Sequence, residues 1–385
     1  MKIYTFQLLN DYSGSPKVLR QLIKGWISYG LDVHIVTGSK KLGFLSKIEG
    51  ATYHNFWYKL ANNPVKRLFN FSLSQLQLFF IMLFKVKKDD LIYINTVLPF
   101  GAALLGKVIG CRVIYHIHET TMKPLILKNF LFGIARWAAD EVIYVSCYLS
   151  KQEEFKKNET HILYNAIEDE FLEEARKNRL QNSKPANVLM VCSLKDYKGV
   201  KEFLSLSESN ADYNFRLVLN ASMEEIQLYF SGIHIPSNLE IHDTQTNLHP
   251  HYRWADAILN LSRPDGWVET FGLTIIEGMA YGLPAIVPPV GGVTELVVEN
   301  QNGFLVDSRD GDMLDEKLNL LFSNNQLYNK MVEYSKEKIS DFSEQIFIGR
   351  SLVILNKEYI ELKNRKIIPE NGIEIMNDSV NSLIY

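Results

Sequence analysis

A chain of 385 residues exceeds what one hydrophobic core usually supports, so two domains are expected. Its 46% hydrophobic and 22% charged residues are an ordinary globular balance, and a formal net charge of −3 gives no reason to expect nucleic-acid binding. The three cysteines, Cys111, Cys147 and Cys192, stand singly in apolar contexts with no CxxC pair or zinc-spaced histidine, so they read as buried thiols of a reducing compartment.

The first residues are too short and too polar-interrupted for a signal peptide and read as a strand over 2–8. No apolar run reaches the 18 or more residues of a membrane span, so a cytoplasmic protein is expected, with room for a place at the inner face of the plasma membrane. Asp11-Tyr-Ser-Gly14-Ser-Pro16 follows that strand, where an open α/β sheet carries its ligand loop; a plain turn with Pro at a helix start would look the same. A helix over 16–29 and a strand over 32–37 come next. The stretch 66–88 is strongly apolar with cationic ends, and 122–137 has a similar mixture. Basic, aromatic segments of this kind suit an anionic bilayer surface, although the first would equally suit burial against a sheet.

Strands at 91–95, 113–118, 141–145 and 160–164, with a helix at 100–109, continue the alternation. His116 and His118 alternate along one strand and so share a face, which invites a metal; no third ligand at suitable spacing follows, and Glu119 should point away. The charged stretch 168–186 interrupts the pattern and marks a domain boundary. Alternation resumes with strands at 187–191, 215–220, 238–242, 257–261 and 285–288. Such alternation argues for doubly wound parallel sheets. Neither a repeat nor a Gly-x-Gly-x-x-Gly fingerprint is present, which counts against an NAD or FAD enzyme.

The most informative run is Glu269-Thr-Phe-Gly-Leu-Thr-Ile-Ile-Glu277, followed by Gly282-Leu-Pro284, Gly291-Gly292 and Glu295. Gly272 before a helical pattern permits close backbone approach by a ligand, and the first N–H groups of the helix, near Phe271–Thr274, favour phosphate oxygens. The two carboxylates then suit sugar diols at either end of such a ligand. A glycosidase acid–nucleophile pair fits poorly. Eight helical residues separate backbones by about 12 Å, beyond the roughly 5–9.5 Å gap of such carboxyls.

From about 262 to 306 the chain resembles the E-x₇-E signature of retaining glycosyltransferases of family 4, the glycosyl transferases of group 1. The resemblance implies the GT-B fold, an α/β architecture of two Rossmann-like domains whose parallel sheets face each other across a cleft. Residues 1–166 would bind the acceptor, 167–343 the nucleotide sugar, a helix over 344–364 would cross back, and 365–385 would be a tail. Catalytic roles fall on Glu269, holding sugar hydroxyls, on His118, touching the sugar from the opposite domain, and on Lys198 at the phosphate. Donor contacts fall on Gly14, Ser193, Lys195, Thr244, Phe271, Gly272, Leu273 and Glu277, the last at the ribose. Asn165 would shape the hinge. Ser193 stands where the family usually has an arginine, so Lys195 is the candidate substitute, without the guanidinium fork.

The activity implied is transfer of a hexose-type sugar from a nucleotide-diphosphate donor to a glycan or lipid-linked hydroxyl acceptor, in bacterial surface-polysaccharide or lipid-linked glycan synthesis. Neither cofactor nor metal is expected, since no Asp-x-Asp of the metal-holding type of the other major glycosyltransferase fold stands out. Two alternatives remain: a nucleotide-sugar epimerase of the same fold, and an inactive subunit of a glycan-assembly complex.

Overall fold

The computed structural model describes residues 1–38, 42–177 and 184–355. The first part runs β1 (Lys2–Gln7), α1 (Gly14–Ser28), β2 (Asp32–Thr37), β3 (Thr52–Asn55), α2 (Pro64–Leu83), β4 (Leu91–Asn95) and α3 (Phe100–Ile109). It continues with β5 (Arg112–Ile117), α4 (Leu125–Ala138), β6 (Glu141–Tyr144), α5 (Cys147–Gln152) and β7 (Glu159–Ile162). Then come α6 (Asp169–Lys177), β8 (Asn187–Ser193), α7 (Val200–Ser209), β9 (Asn214–Asn220), α8 (Met223–Tyr229), β10 (Leu239–His242) and α9 (His249–Trp254). The last elements are β11 (Ala257–Leu259), α10 (Leu273–Ala280), β12 (Ala285–Val287), β13 (Gly303–Leu305), α11 (Gly311–Ser323), α12 (Asn325–Lys338) and α13 (Glu344–Leu355).

Two sheets result, ordered β3-β2-β1-β4-β5-β6-β7 and β10-β9-β8-β11-β12-β13. Pairing is parallel throughout, from β1 with β2 and β4 to β8 with β9 and β11. This is the two-Rossmann α/β architecture expected. Both sheets reverse their winding between a central pair, β1/β4 and β8/β11, and an open sheet takes its ligand at the carboxyl ends beside such a reversal.

The central strands are apolar on both faces because helices cover both. On one face of the first sheet Ile3, Ile35, Leu91 and Tyr93 pack with Leu19, Ile23 and Trp26 of α1 and with Phe347 and Leu352 of α13. On the other, Phe6, Ile92 and Tyr115 meet Phe71 and Leu78 of α2, Ala102 of α3, and Leu131 and Phe132 of α4. Trp26 Nε1 donates to Ser351 Oγ at 2.9 Å, and Arg112 Nη1 donates to the Leu355 carbonyl at 2.6 Å. α13 thus returns to the first sheet; the expected helix beyond 355 and the tail lie outside the described residues.

Three features differ from the sequence reading. β3 (Thr-Tyr-His-Asn) is a half-exposed edge strand without apolar alternation, and β13 has three residues, too few for a periodic signal. The boundary stretch 168–186 contains α6, whose Phe171 ring lies 5.9 Å from that of Tyr252. Only Leu273 onward is helical in the Glu269–Glu277 run, so helical rise does not set the gap between the two carboxylates.

Candidate active site

Glu269 sits in the loop from β11 to α10, pinned by its backbone and by its side chain. Gly292 N donates to its carbonyl at 2.8 Å. Its carboxylate accepts from Ser262 Oγ at 2.9 Å and forms an ion pair with Lys198 Nζ. Burial alone would raise the Glu269 pKa; Lys198, then Ser262 and Asn260, outweigh it and hold the carboxyl below its usual range. Lys198 reaches this place from a single 3₁₀ turn after β8, and its ammonium lies 5.3 Å from the Trp267 ring centre. Lys195, in contrast, is exposed and has no side-chain partner among the described residues. The half-buried Ser193 ends β8, and its carbonyl accepts from Lys195 N at 2.8 Å.

α10 begins after Gly272, whose φ of +118° is a conformation side-chain-bearing residues rarely adopt. Its first N–H groups, from Leu273 and Thr274, have no carbonyl one turn earlier to bond and form a positive end. Gly14, expected in a loop, is the first residue of α1 and abuts this end: a Cβ on it would lie 3.2 Å from Leu273 Cδ1. Phe271 contributes only backbone here. Its ring is buried, with centres 6.2 Å from Tyr164 and 5.8 Å from Phe342.

Glu277 is buried on α10 and has two partners that sequence reading missed. Tyr252 OH donates to Oε2 at 2.5 Å, and Lys17 Nζ of α1 forms an ion pair with Oε1. Burial would lower the Lys17 pKa, but the charge of Glu277 and their hydrogen bond raise it; burial and Glu277 together push the Tyr252 hydroxyl well up. Lys17 carried no signal in the sequence beyond standing three residues after Gly14.

His118 lies at the end of β5, half-buried, with Nε2 2.8 Å from Asn95 Oδ1. An amide oxygen only accepts, so Nε2 carries the proton. Burial pushes the His118 pKa down to about 3, leaving the ring neutral. Thr270 Oγ1 donates to the His118 carbonyl at 2.6 Å, tying the Glu269 loop to the first domain beside this histidine. His116 is a core residue: it is fully buried and shares a hydrogen bond of 2.8 Å with Tyr93 OH through Nδ1. Neither histidine joins a metal-competent group among the described residues. Glu119 bonds to neither ring. Its carboxylate accepts from Val97 N at 3.0 Å and His118 N at 3.2 Å, and burial raises its pKa to about 7.

Thr244 is exposed, and its hydroxyl donates to the Ala221 carbonyl at 3.1 Å, fastening the loop after β10 to the end of β9. Asn165, in the connection from β7 to α6, is buried with Oδ1 unpartnered. An Asp-x-Asp spelling does occur at Asp310–Asp312, but Asp310 is a helix cap, accepting from Met313 N at 3.1 Å. Of the cysteines only Cys111 is buried; Cys147 and Cys192 are half-buried, a departure from the three buried thiols expected.

Glu295 makes a further link between the domains. It accepts from Tyr148 N at 2.6 Å, Cys147 N at 3.0 Å and Tyr164 OH at 2.7 Å, so a carboxylate of the second domain caps α5 of the first.

Two family profiles cover most of the chain: one described as Glycosyltransferase Family 4 matches residues 12–171, and one described as Glycosyl transferases group 1 matches residues 172–338. An uncharacterised glycosyltransferase of Methanocaldococcus jannaschii is 28% identical over 286 residues, 71% of this chain and 76% of that protein. The N-acetyl-alpha-D-glucosaminyl L-malate synthase of Bacillus anthracis is 23% identical over 378 residues, 92% of this chain and 96% of that one. Among solved structures, Anabaena HepE in complex with UDP-glucose shares the fold with a TM-score of 0.75 at 18% identity, covering 92% of this chain and 99% of that one.

Proposed function

The chain belongs to the group 1 glycosyltransferases, and from that premise we propose that it is a retaining enzyme moving a hexose-type sugar from a nucleotide-diphosphate sugar to a hydroxyl of a glycan or lipid-linked acceptor. The observation that carries the reading is the separation of the two glutamates. Glu269 is anchored by Lys198 and Ser262 on one side of the start of α10, and Glu277 by Lys17 and Tyr252 on the other. The relatives add support: one synthase is named for a glucosaminyl product, and HepE holds UDP-glucose.

In this reading the donor pyrophosphate lies between the Gly14 loop, Lys198 and the N-terminus of α10. Glu277 takes the ribose hydroxyls and Glu269 the sugar hydroxyls. Lys17, displaced from Glu277 by the ribose, supplies from the first domain the positive charge that Ser193 does not. Neutral His118 faces the sugar with hydrogen-bonding capacity but no charge. Positioning and stabilisation of the departing phosphate provide most of the rate. The acceptor attacks from the face the phosphate leaves, and its proton passes to that phosphate. Synthesis of a bacterial surface polysaccharide or lipid-linked glycan is the proposed setting.

A thermal-shift screen with UDP-, GDP-, ADP- and dTDP-sugars tests donor binding, because a ligand of the native state alone raises its melting temperature. With the donor identified, the anomeric configuration of the product tests retention, and an inverted product would sink it. Glu269→Ala should abolish transfer with the donor shift retained. Unchanged transfer would overturn the assignment, donor turnover without a linked product would favour an epimerase, and binding without turnover an inactive subunit.

A further inference from the structure

The charge of this chain is unevenly placed. Residues 57–88 and 121–139 hold nine of its 41 cationic residues and none of its 44 acidic ones. The rest therefore carries 32 cationic against 44 acidic residues, a formal −12. The same two segments hold 13 of the 23 large apolar side chains that are exposed among the described residues. Independent placement of both features on a seventh of the chain is not what a solvated surface requires, since single exposed apolar groups are normally scattered.

The fold puts the two segments side by side. α2 and α4 pack on the same face of the first sheet with α3 between them; the Phe100 ring of α3 lies 5.6 Å from Phe71 of α2 and 5.5 Å from Phe130 of α4. The inward faces are spent on the core, through Phe71, Leu78 and Met82 of α2 and through Leu131, Phe132 and Ala135 of α4. The outward faces carry Phe69 at 66% exposure, Phe84 at 89% and Ile126 at 83%, with Trp137 at 60%. Around them Lys59, Lys66, Lys85, Lys87, Lys88 and Lys123 are exposed, none paired with a carboxylate among the described residues. An exposed face that is both apolar and cationic is of the kind that lies in a bilayer interface, and no helix of the described residues is long and apolar enough to cross a membrane.

We propose that the outer face of α2 and α4 docks the protein on a bilayer containing anionic phospholipid, the aromatic and aliphatic tips entering the headgroup boundary and the lysines meeting the negative surface. The docking itself does not rest on the transferase reading. If that reading holds, the surface brings the first domain to acceptors carried in the bilayer.

The full chain is sedimented with phosphatidylcholine vesicles and with vesicles containing 30% phosphatidylglycerol, a composition of about one anionic lipid in three. Binding at least tenfold stronger to the anionic vesicles, weakened several-fold by 0.5 M salt, is expected, since screening shortens the reach of surface charge to roughly 4 Å at such ionic strength. Lys87→Glu with Lys88→Glu should remove the charge preference, and Phe69→Ser with Phe84→Ser should lower binding to both vesicle types. Each double variant is checked for unchanged melting temperature. Equal binding to both vesicles, no binding at low salt, or variants that bind like the parent would overturn the proposal. So would a dimer in light scattering that these variants dissociate, because the face would then belong to a second copy. A protein that docks but never shifts with any nucleotide sugar would keep this proposal and sink the transferase reading.

Discussion

Lys17 and Glu277 stand 260 residues apart in the chain and form one ion pair across the two domains, with Tyr252 OH closing the other oxygen of the carboxylate at 2.5 Å. The pair joins the first turn of α1 to α10, close to where Gly14 touches Leu273. The N-terminal end of α10 and a buried carboxylate are thus held against the first domain.

Removing the lysine leaves a buried carboxylate with one neutral donor. Lys17→Met should destabilise the protein by about 1–3 kcal/mol, below the full cost of breaking a buried pair because the lysine is partly exposed. Glu277→Ala should raise KM for the donor with a smaller change in kcat, as expected for lost ground-state binding. Urea unfolding and initial rates check the two. An unchanged KM would remove Glu277 from the donor site.

Lys198 and Lys195 are three residues apart yet differ in setting, one paired with Glu269 and one in solvent. Lys198→Ala should lower kcat by about 10²–10³-fold, the range for loss of one transition-state donor. Lys195→Ala should change it less than threefold. Equal losses would return Lys195 to the cleft as the substitute for an arginine.

His118 offers a test by pH. Its folded-state pKa of about 3 lies below the ordinary 6.5, so from pH 6.5 downward the unfolded chain binds a proton that the folded one refuses. This histidine's share of stability is present in full above pH 6.5 and is lost as pH falls toward 3. Glu119, raised to about 7, acts in the opposite sense between pH 4.5 and 7, so total stability mixes the two. The difference between parent and His118→Asn isolates the histidine. The variant's deficit in urea midpoint should shrink between pH 7.5 and pH 4.5, and a constant deficit would show a charged or solvated ring.

Glu295 binds three donors of the first domain, two of them the backbone N–H groups at the start of α5. Glu295→Ala should loosen this link and enlarge the radius of gyration of the donor-free protein in small-angle scattering. Loss of the cap should cost about 0.5–2 kcal/mol. An unaltered radius would mean that the Lys17–Glu277 pair and α13 hold the domains without it.

Much of the fold was legible because it rests on local rules. β2, β4 and α3 run where the apolar runs place them, at Asp32–Thr37, Leu91–Asn95 and Phe100–Ile109. β3 and α6 were not legible: a polar edge strand has no alternation, and a charged helix with one apolar stripe reads as a linker. Of the site, Glu269, Gly272 and Glu277 announced themselves through spacing. Lys17, Tyr252 and Thr270 gave no such signal, because an isolated lysine, tyrosine or threonine is an ordinary surface or core residue until something faces it.

By itself the sequence determined the alternation of strands and helices, the glycine that opens α10, and the two carboxylates on either side of it. Those are properties of neighbours along the chain, fixed by burial pattern and backbone sterics within a few residues. The tertiary structure alone decided which cation meets which carboxylate, that the Phe271 ring is core while the Lys198 ammonium pairs with Glu269, and that α2 and α4 turn their unspent apolar faces the same way. Those depend on residues far apart in the chain: Lys198 and Glu269, 71 residues apart, meet because β8 and β11 are neighbours in one sheet, and Lys17 and Glu277, 260 apart, meet where α1 of one sheet faces α10 of the other.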